Sequence, residues 1–141
     1  ACGGKIIHVS ITPPDDDGLK RFGESIVQWP RSIAAEIEMA ELKVALAGPV
    51  AELTFDGARV SIDQCAEFAD DWRRACLSAS RLKSDVPPRQ NLVADVEFWV
   101  WSFFNNENYW AATSAIADEL LAHETIEHDA VADAWDFWKR R

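Results

Sequence analysis

From about residue 33 onward the apolar residues of this chain recur at steps of three and four, and that period constrains its fold more than any other feature. Ile33, Ile37, Ala40, Val44 and Ala47 line up as one helical face, with Glu36, Glu38, Glu41 and Lys43 mostly elsewhere. Ser32, preceded by Pro30 and Arg31 and followed by Glu36, reads as the N-cap of that helix. Gly48-Pro49 interrupts it as a break or sharp kink, residues 50–53 resume as a short helical turn, and Asp56-Gly57 stops it. Ser61 is the next N-cap, opening a helix over residues 62–80 with Cys65, Phe68, Ala69, Trp72, Cys76 and Ala79 as its buried stripe. Residues 83–89, with Pro87-Pro88, read as a linker between two helical halves, too short to separate two domains.

Three further helices are expected. Residues 91–104 face inward with Val96, Trp99, Val100 and Phe103 and end at Asn105 and Asn106. Residues 109–122 turn Ile116, Leu120 and Leu121 inward, and residues 129–138 make a last short helix. Only residues 5–11 (KIIHVSI) depart from the helical period; their β-branched run, ended by Thr12-Pro13-Pro14, predicts one short strand. There is no internal repeat. The expected class is mostly α, a single helical domain over residues 1–141 with a small β element near the N-terminus.

Composition narrows the function. A chain of 141 residues with 48% apolar content and 7 Trp can bury a core without disulfides or metal. Its 24 acidic against 14 basic residues, a net charge of -10, argue against nucleic acid, which needs a lysine and arginine surplus on at least one face. The only basic run, Lys139-Arg140-Arg141, reads as a solvated helix end. The densest apolar stretch, residues 98–104, falls far short of the about 20 residues a membrane span needs, and no secretory signal is visible. The chain opens at Ala1 rather than Met, as expected of a processed product or a piece of something longer. Three cysteines, Cys2, Cys65 and Cys76, cannot all pair within one chain, and none forms Cys-x-x-Cys, which points to a reducing, cytoplasmic setting. Cys65 and Cys76, placed in one helix, would stand about 16 Å apart along its axis, too far to bridge.

Several motifs invite chemistry and are better explained by structure. Asp15-Asp16-Asp17-Gly18 lacks the later ligand positions of a calcium loop and reads as a solvated turn. The run His123-Glu124-Thr125-Ile126-Glu127-His128 spaces its histidines five apart, about 140° around a helix, where a zinc pair needs them four apart. It reads as a turn in which Thr125 caps, Ile126 packs and both histidines face solvent. His8 alternates with Ile7 and Val9 on the strand and is read as structural. No phosphate-binding loop, dinucleotide fingerprint or serine elbow occurs. The tryptophans fall at helix-core spacings and do not alternate with basic residues.

Four stretches in order resemble the peptidase domain of the FtsH-type ATP-dependent zinc metalloproteases. Residues 5–19 (KIIHVSITPPDDDGL) resemble the strand and turn after that family's zinc-binding helix, and residues 44–57 (VALAGPVAELTFDG) its small-residue helix ending in Gly-x-x-Ala-Glu. Residues 57–69 (GARVSIDQCAEFA) resemble its Gly-Ala-x-x-Asp-x-x-x-Ala segment with one residue inserted before the aspartate. Residues 117–126 (ADELLAHETI) resemble its closing Leu-Leu-x-x-Glu-Thr-Leu/Ile signature. The resemblance implies a mainly helical, zinc-dependent fold acting on polypeptide substrates, with Asp63 as the distal zinc ligand and Glu52 as a partner beyond the metal's own ligands. The His-Glu-x-x-His that supplies two ligands and the general base is absent, as are the ATPase module and membrane anchor.

The expectation is therefore an FtsH-type peptidase-like domain, truncated before or lacking its zinc-binding helix and inactive as it stands. Zinc would be a cofactor only if upstream histidines are present, because one carboxylate does not make a site. The alternative is a non-catalytic helical interaction or scaffold module; a monomer or dimer is expected, with Trp99, Trp101, Phe103 and Phe104 as the candidate surface for any self-association.

Overall fold

The computed structural model describes residues 5–11, 24–29 and 34–141. About three-quarters of these are helical, and the rest include one small antiparallel sheet. In chain order they form β1 (Lys5–Ser10), β2 (Glu24–Gln28), α1 (Ala34–Phe55), two 3-10 turns (Ile62–Gln64 and Ala66–Phe68), α2 (Ala69–Leu82), α3 (Val86–Phe104), α4 (Glu107–His123), β3 (Thr125–Glu127) and α5 (His128–Lys139). The mostly α class with a small β element near the N-terminus is what is found. The expected N-cap at Ser32 and the turn at Asp15 to Gly18 lie outside the described residues.

Two compact units emerge. The first contains α1, the 3-10 turns, α2 and α3. Here α1 runs unbroken through Gly48-Pro49, correcting the expected break. Pro49 has no N–H to donate to the preceding turn, and its ring crowds the residue before it. Gly48 has no Cβ to meet that ring, so the backbone stays helical. The inward face also differs from the expected one. Ala40 is buried as expected, but Val44 is 43% exposed, and Leu42, Leu46, Val50 and Leu53 complete the buried face. The apolar residues of α1 nearly encircle it, so its sequence admits more than one stripe and the neighbours choose. On α2 the buried residues are Ala75, Ser78 and Ala79, small side chains that allow close approach to α1, while Ala69 is exposed. An exposed ion pair, Arg81 to Glu38 at 3.1 Å, joins α1 and α2 at the surface.

Asp56-Gly57 does end α1, in a left-handed C-terminal motif. Gly57 has φ 69°, the Ala58 N–H donates to the Leu53 carbonyl at 2.9 Å, and the Gly57 N–H donates to Thr54 at 3.2 Å. Pro87 and Pro88, expected in a linker over residues 83–89, instead form the first turn of α3. That is where a missing N–H costs nothing, because first-turn N–H groups have no helical partner anyway.

The second unit contains the sheet, α4 and α5. Sequence periodicity revealed β1 alone; the sheet has order β2-β1-β3, both pairs antiparallel. β3 is only three residues, too short to show alternation, yet Ile126 at its centre is buried opposite Val9. Glu124, at φ 61°, ends α4 in the left-handed conformation that usually falls to glycine. Its carbonyl accepts from the Ile11 N–H at 2.9 Å and the Ser10 hydroxyl at 3.2 Å, and the Thr125 hydroxyl donates to Ser10 at 2.9 Å. These contacts hold the turn and bring β3 to the edge of β1. Tyr109 of α4 stacks on Trp135 of α5, ring centres 5.3 Å apart, and Ala112 and Val131 of the same two helices are buried. Leu121, expected inward, is 74% exposed.

The two candidate faces of α1 make opposite predictions. Leu46→Ala is expected to cost about 2–5 kcal/mol of stability, and Val44→Ala to stay within about 0.5 kcal/mol. Urea denaturation of both variants measures this; equal losses would restore the face read from periodicity.

Candidate functional site

The clefts of the first unit meet at one carboxylate. Glu97 occupies a position on α3 in step with Val93, Val96, Val100 and Phe104, so the helix turns it inward with the core, and it is 8% exposed. A buried charge survives only when its oxygens are satisfied by donors. Glu97 meets the start of the first 3-10 turn: the Ile62 N–H donates to one oxygen at 3.1 Å, and the Ser61 hydroxyl lies 3.1 Å from both. The N-terminus of that turn presents unpaired N–H groups and partial positive charge, so a carboxylate is the matching partner.

This corrects the role expected of Ser61. Its side chain makes no cap of its own and donates instead to Glu97, a residue 36 positions away. The helix expected over residues 62–80 correspondingly begins as two separate 3-10 turns, with α2 proper starting at Ala69. Cys65 lies between those turns in extended backbone, so the two thiols expected on one helix do not share one. The Phe68 and Ala79 part of the expected stripe is buried, while Cys65, Trp72 and Cys76 are half-buried.

Glu97 forms part of the wall of a cleft of about 470 Å³. Ser61 and Asp63 line it from the first 3-10 turn, Trp72 and Cys76 from α2, and Arg89 from α3. Burial pushes the Cys76 thiol up from its ordinary value; the nearby Arg89 guanidinium opposes this and the Asp63 carboxylate adds to it. The thiol therefore stays protonated and weakly nucleophilic at neutral pH. A second, shallower cleft of about 410 Å³ shares Ser61 and Glu97 and is edged by Val60, Phe98 and Trp101.

The expected site residues are distributed unevenly over this geometry. Asp63 is exposed and lines the larger cleft, on a turn that Glu97 fixes in place. Glu52, exposed on α1, lines neither cleft. The candidate zinc run is split between elements: His123 closes α4 and pairs with Glu119 at 3.3 Å, while His128 opens α5 beyond β3. Thr125 does not cap; it is in β3 and bonds to Ser10, whereas Ile126 packs as expected. His123 is exposed, but His128 is half-buried with its Nδ1 buried and lacking a hydrogen-bond partner, so it does not simply face solvent. Among the described residues, no group of three His, Cys, Asp or Glu side chains is placed to hold a metal ion. The donors facing the cleft do not by themselves fit zinc, since Glu97 is committed to Ser61 and Ile62.

The proposed aromatic contact surface is also partly spent. Phe104 is buried at 8% exposure; Phe103 packs edge-on against it and tilts toward Trp99, whose face carries the Lys43 ammonium at 4.4 Å. Phe98, absent from the expected cluster, is the open ring at 73% exposure. No helix among the described residues is long and apolar enough to cross a membrane. Neither the protein-family models nor the curated proteins contain a match to this chain.

Sequence analysis missed Glu97; the signal for it was a single acid in step with Val93, Val96, Val100 and Phe104, while its partners left no local trace. Removing it orphans a buried N–H, so Glu97→Ala is expected to lose about 1–3 kcal/mol, and Glu97→Gln, whose amide oxygen can still accept from Ile62, less. Equal losses in chemical denaturation would mean that Glu97 only fills space. For the thiol, with Cys2 and Cys65 replaced by Ser, iodoacetamide alkylation is expected to rise at higher pH than for free cysteine. Arg89→Gln should slow it and Asp63→Asn should speed it; the opposite order would contradict the charges assigned around Cys76.

Proposed function

We propose that this chain is the helical body of a peptidase-like domain of the FtsH type, with Asp63 as the carboxylate that such a domain offers to zinc. The observation that carries this reading is the presentation of Asp63: an exposed carboxylate on a 3-10 turn anchored by Glu97, at the edge of a cleft. A metal ligand must be held in place before the metal arrives, and this turn is held at its start by three hydrogen-bond contacts. The four matching segments support the same reading. The two imidazoles and the general base are not among these residues, so peptide hydrolysis belongs to this chain only in company with a segment that supplies them. Polypeptide is the substrate class the reading implies.

Phe98 favours a second reading, a helical interaction module. It projects from α3 beside Val60 and Trp101, an apolar patch on a strongly acidic protein.

The coding sequence upstream of Ala1 separates the two. A His-Glu-x-x-His encoded shortly before it supports the peptidase reading, and a start codon directly before Ala1 sinks it. In the protein carrying that segment, Asp63→Asn is expected to weaken zinc binding about 10–100-fold with the fold intact by circular dichroism; unchanged zinc affinity would remove Asp63 from the site. The 141 residues alone are expected to bind zinc no tighter than micromolar in a calorimetric titration.

A further inference from the structure

The larger cleft contains two opposite charges that the protein leaves unanswered. Among the described residues, neither the Arg89 guanidinium nor the Asp63 carboxylate takes part in a side-chain hydrogen bond or ion pair, with each other or with any other group. Other exposed acid and base pairs of the first unit do meet, as Arg81 and Glu38 do at 3.1 Å. Arg89 is half-buried, where an unpaired cation costs more than at an open surface. Both line the one cleft, Asp63 from the first 3-10 turn and Arg89 from α3, together with the Cys76 thiol of α2. Trp72, Val86 and Val93 supply apolar wall to the same cleft, and about 470 Å³ is within the range of sites that enclose small organic ligands.

We propose that this cleft binds a small zwitterion with an apolar body, an α-amino acid or the equivalent short peptide, its carboxylate on Arg89, its ammonium on Asp63, and its side chain against Trp72. Charge complementarity selects the class. A simple anion would answer Arg89 and face Asp63 and the nearby Glu97; a simple cation would do the reverse. A fork of guanidinium donors suits a carboxylate in two-point contact. The indole face accepts an aromatic or branched side chain at little entropic cost. The inference does not rest on the peptidase reading, and chelator in the buffer keeps any zinc from occupying Asp63.

Calorimetric titration of the intact chain with L-phenylalanine, N-acetylphenylalanine, phenylalaninamide and the dipeptide Phe-Ala tests it. Phenylalanine or Phe-Ala is expected to bind with Kd below about 1 mM, and the tighter of the two tells a free amino acid from a peptide. N-acetylphenylalanine, without the ammonium, and phenylalaninamide, without the carboxylate, should each bind about tenfold or more weakly. Arg89→Gln should weaken phenylalanine about tenfold without weakening phenylalaninamide, whose ammonium it no longer repels; Asp63→Asn should weaken phenylalanine without weakening N-acetylphenylalanine. Absence of binding by both zwitterions, equal binding of the blocked compounds, or variants that do not sort by the matching group would each overturn the proposal. The blocked compounds act on the unaltered protein, so the result stands even if a variant misfolds.

Discussion

The buried Glu97 carboxylate is the interaction on which the first unit's surface chemistry depends. A charge in an apolar layer is costly unless donors surround it, and the donors here come from a chain segment 35 and 36 positions earlier. Satisfying Glu97 therefore draws the start of the 3-10 turn onto α3. That single requirement positions Ser61 and Ile62 and aims Asp63 outward. The turn, α2 and α3 together wall the cleft.

A carboxylate anchored this way gives Asp63 what either functional reading needs, a fixed direction without a committed partner. Had Asp63 lain within a regular helix, its neighbours one turn away could have paired with it, as Asp70 pairs with Arg73 on α2. The 3-10 turn is too short for that. The same economy leaves Arg89 open on α3, and the protonated thiol of Cys76 in the same cleft adds bulk without charge at neutral pH. The proposed zwitterion would be selected by the two unpaired ions and by Trp72.

In the second unit the organising device is the left-handed Glu124. Its carbonyl accepts from Ser10 and Ile11, and those bonds offset the cost of a side chain in a conformation that glycine adopts freely. They also bring Thr125, Ile126 and Glu127 into register with β1 and separate His123 from His128. The histidine run that looks like a metal motif is thus a helix end, a three-residue strand and a helix start.

Much of this was written in local sequence. The helical period announced the mostly α class, the β-branched run announced β1, and Asp56-Gly57 and Asn105 marked helix ends, because these signals act within one or two turns of chain. Asp63 came from a resemblance between segments, and it does lie at a cleft; Glu52, carried by the same resemblance, does not. What local sequence left open was settled by partners distant in the chain. The face of α1 was ambiguous because apolar residues nearly surround it, and Leu46 rather than Val44 was buried once α2 and α3 packed against it. Likewise β3 exists only because β1 offers it an edge, and Glu97 reads as an error on its helix until Ser61 and Ile62 arrive to satisfy it. Periodicity determines which residues can be buried together; only tertiary contact decides which of them are, and which polar group among them is kept because its hydrogen bonds are met.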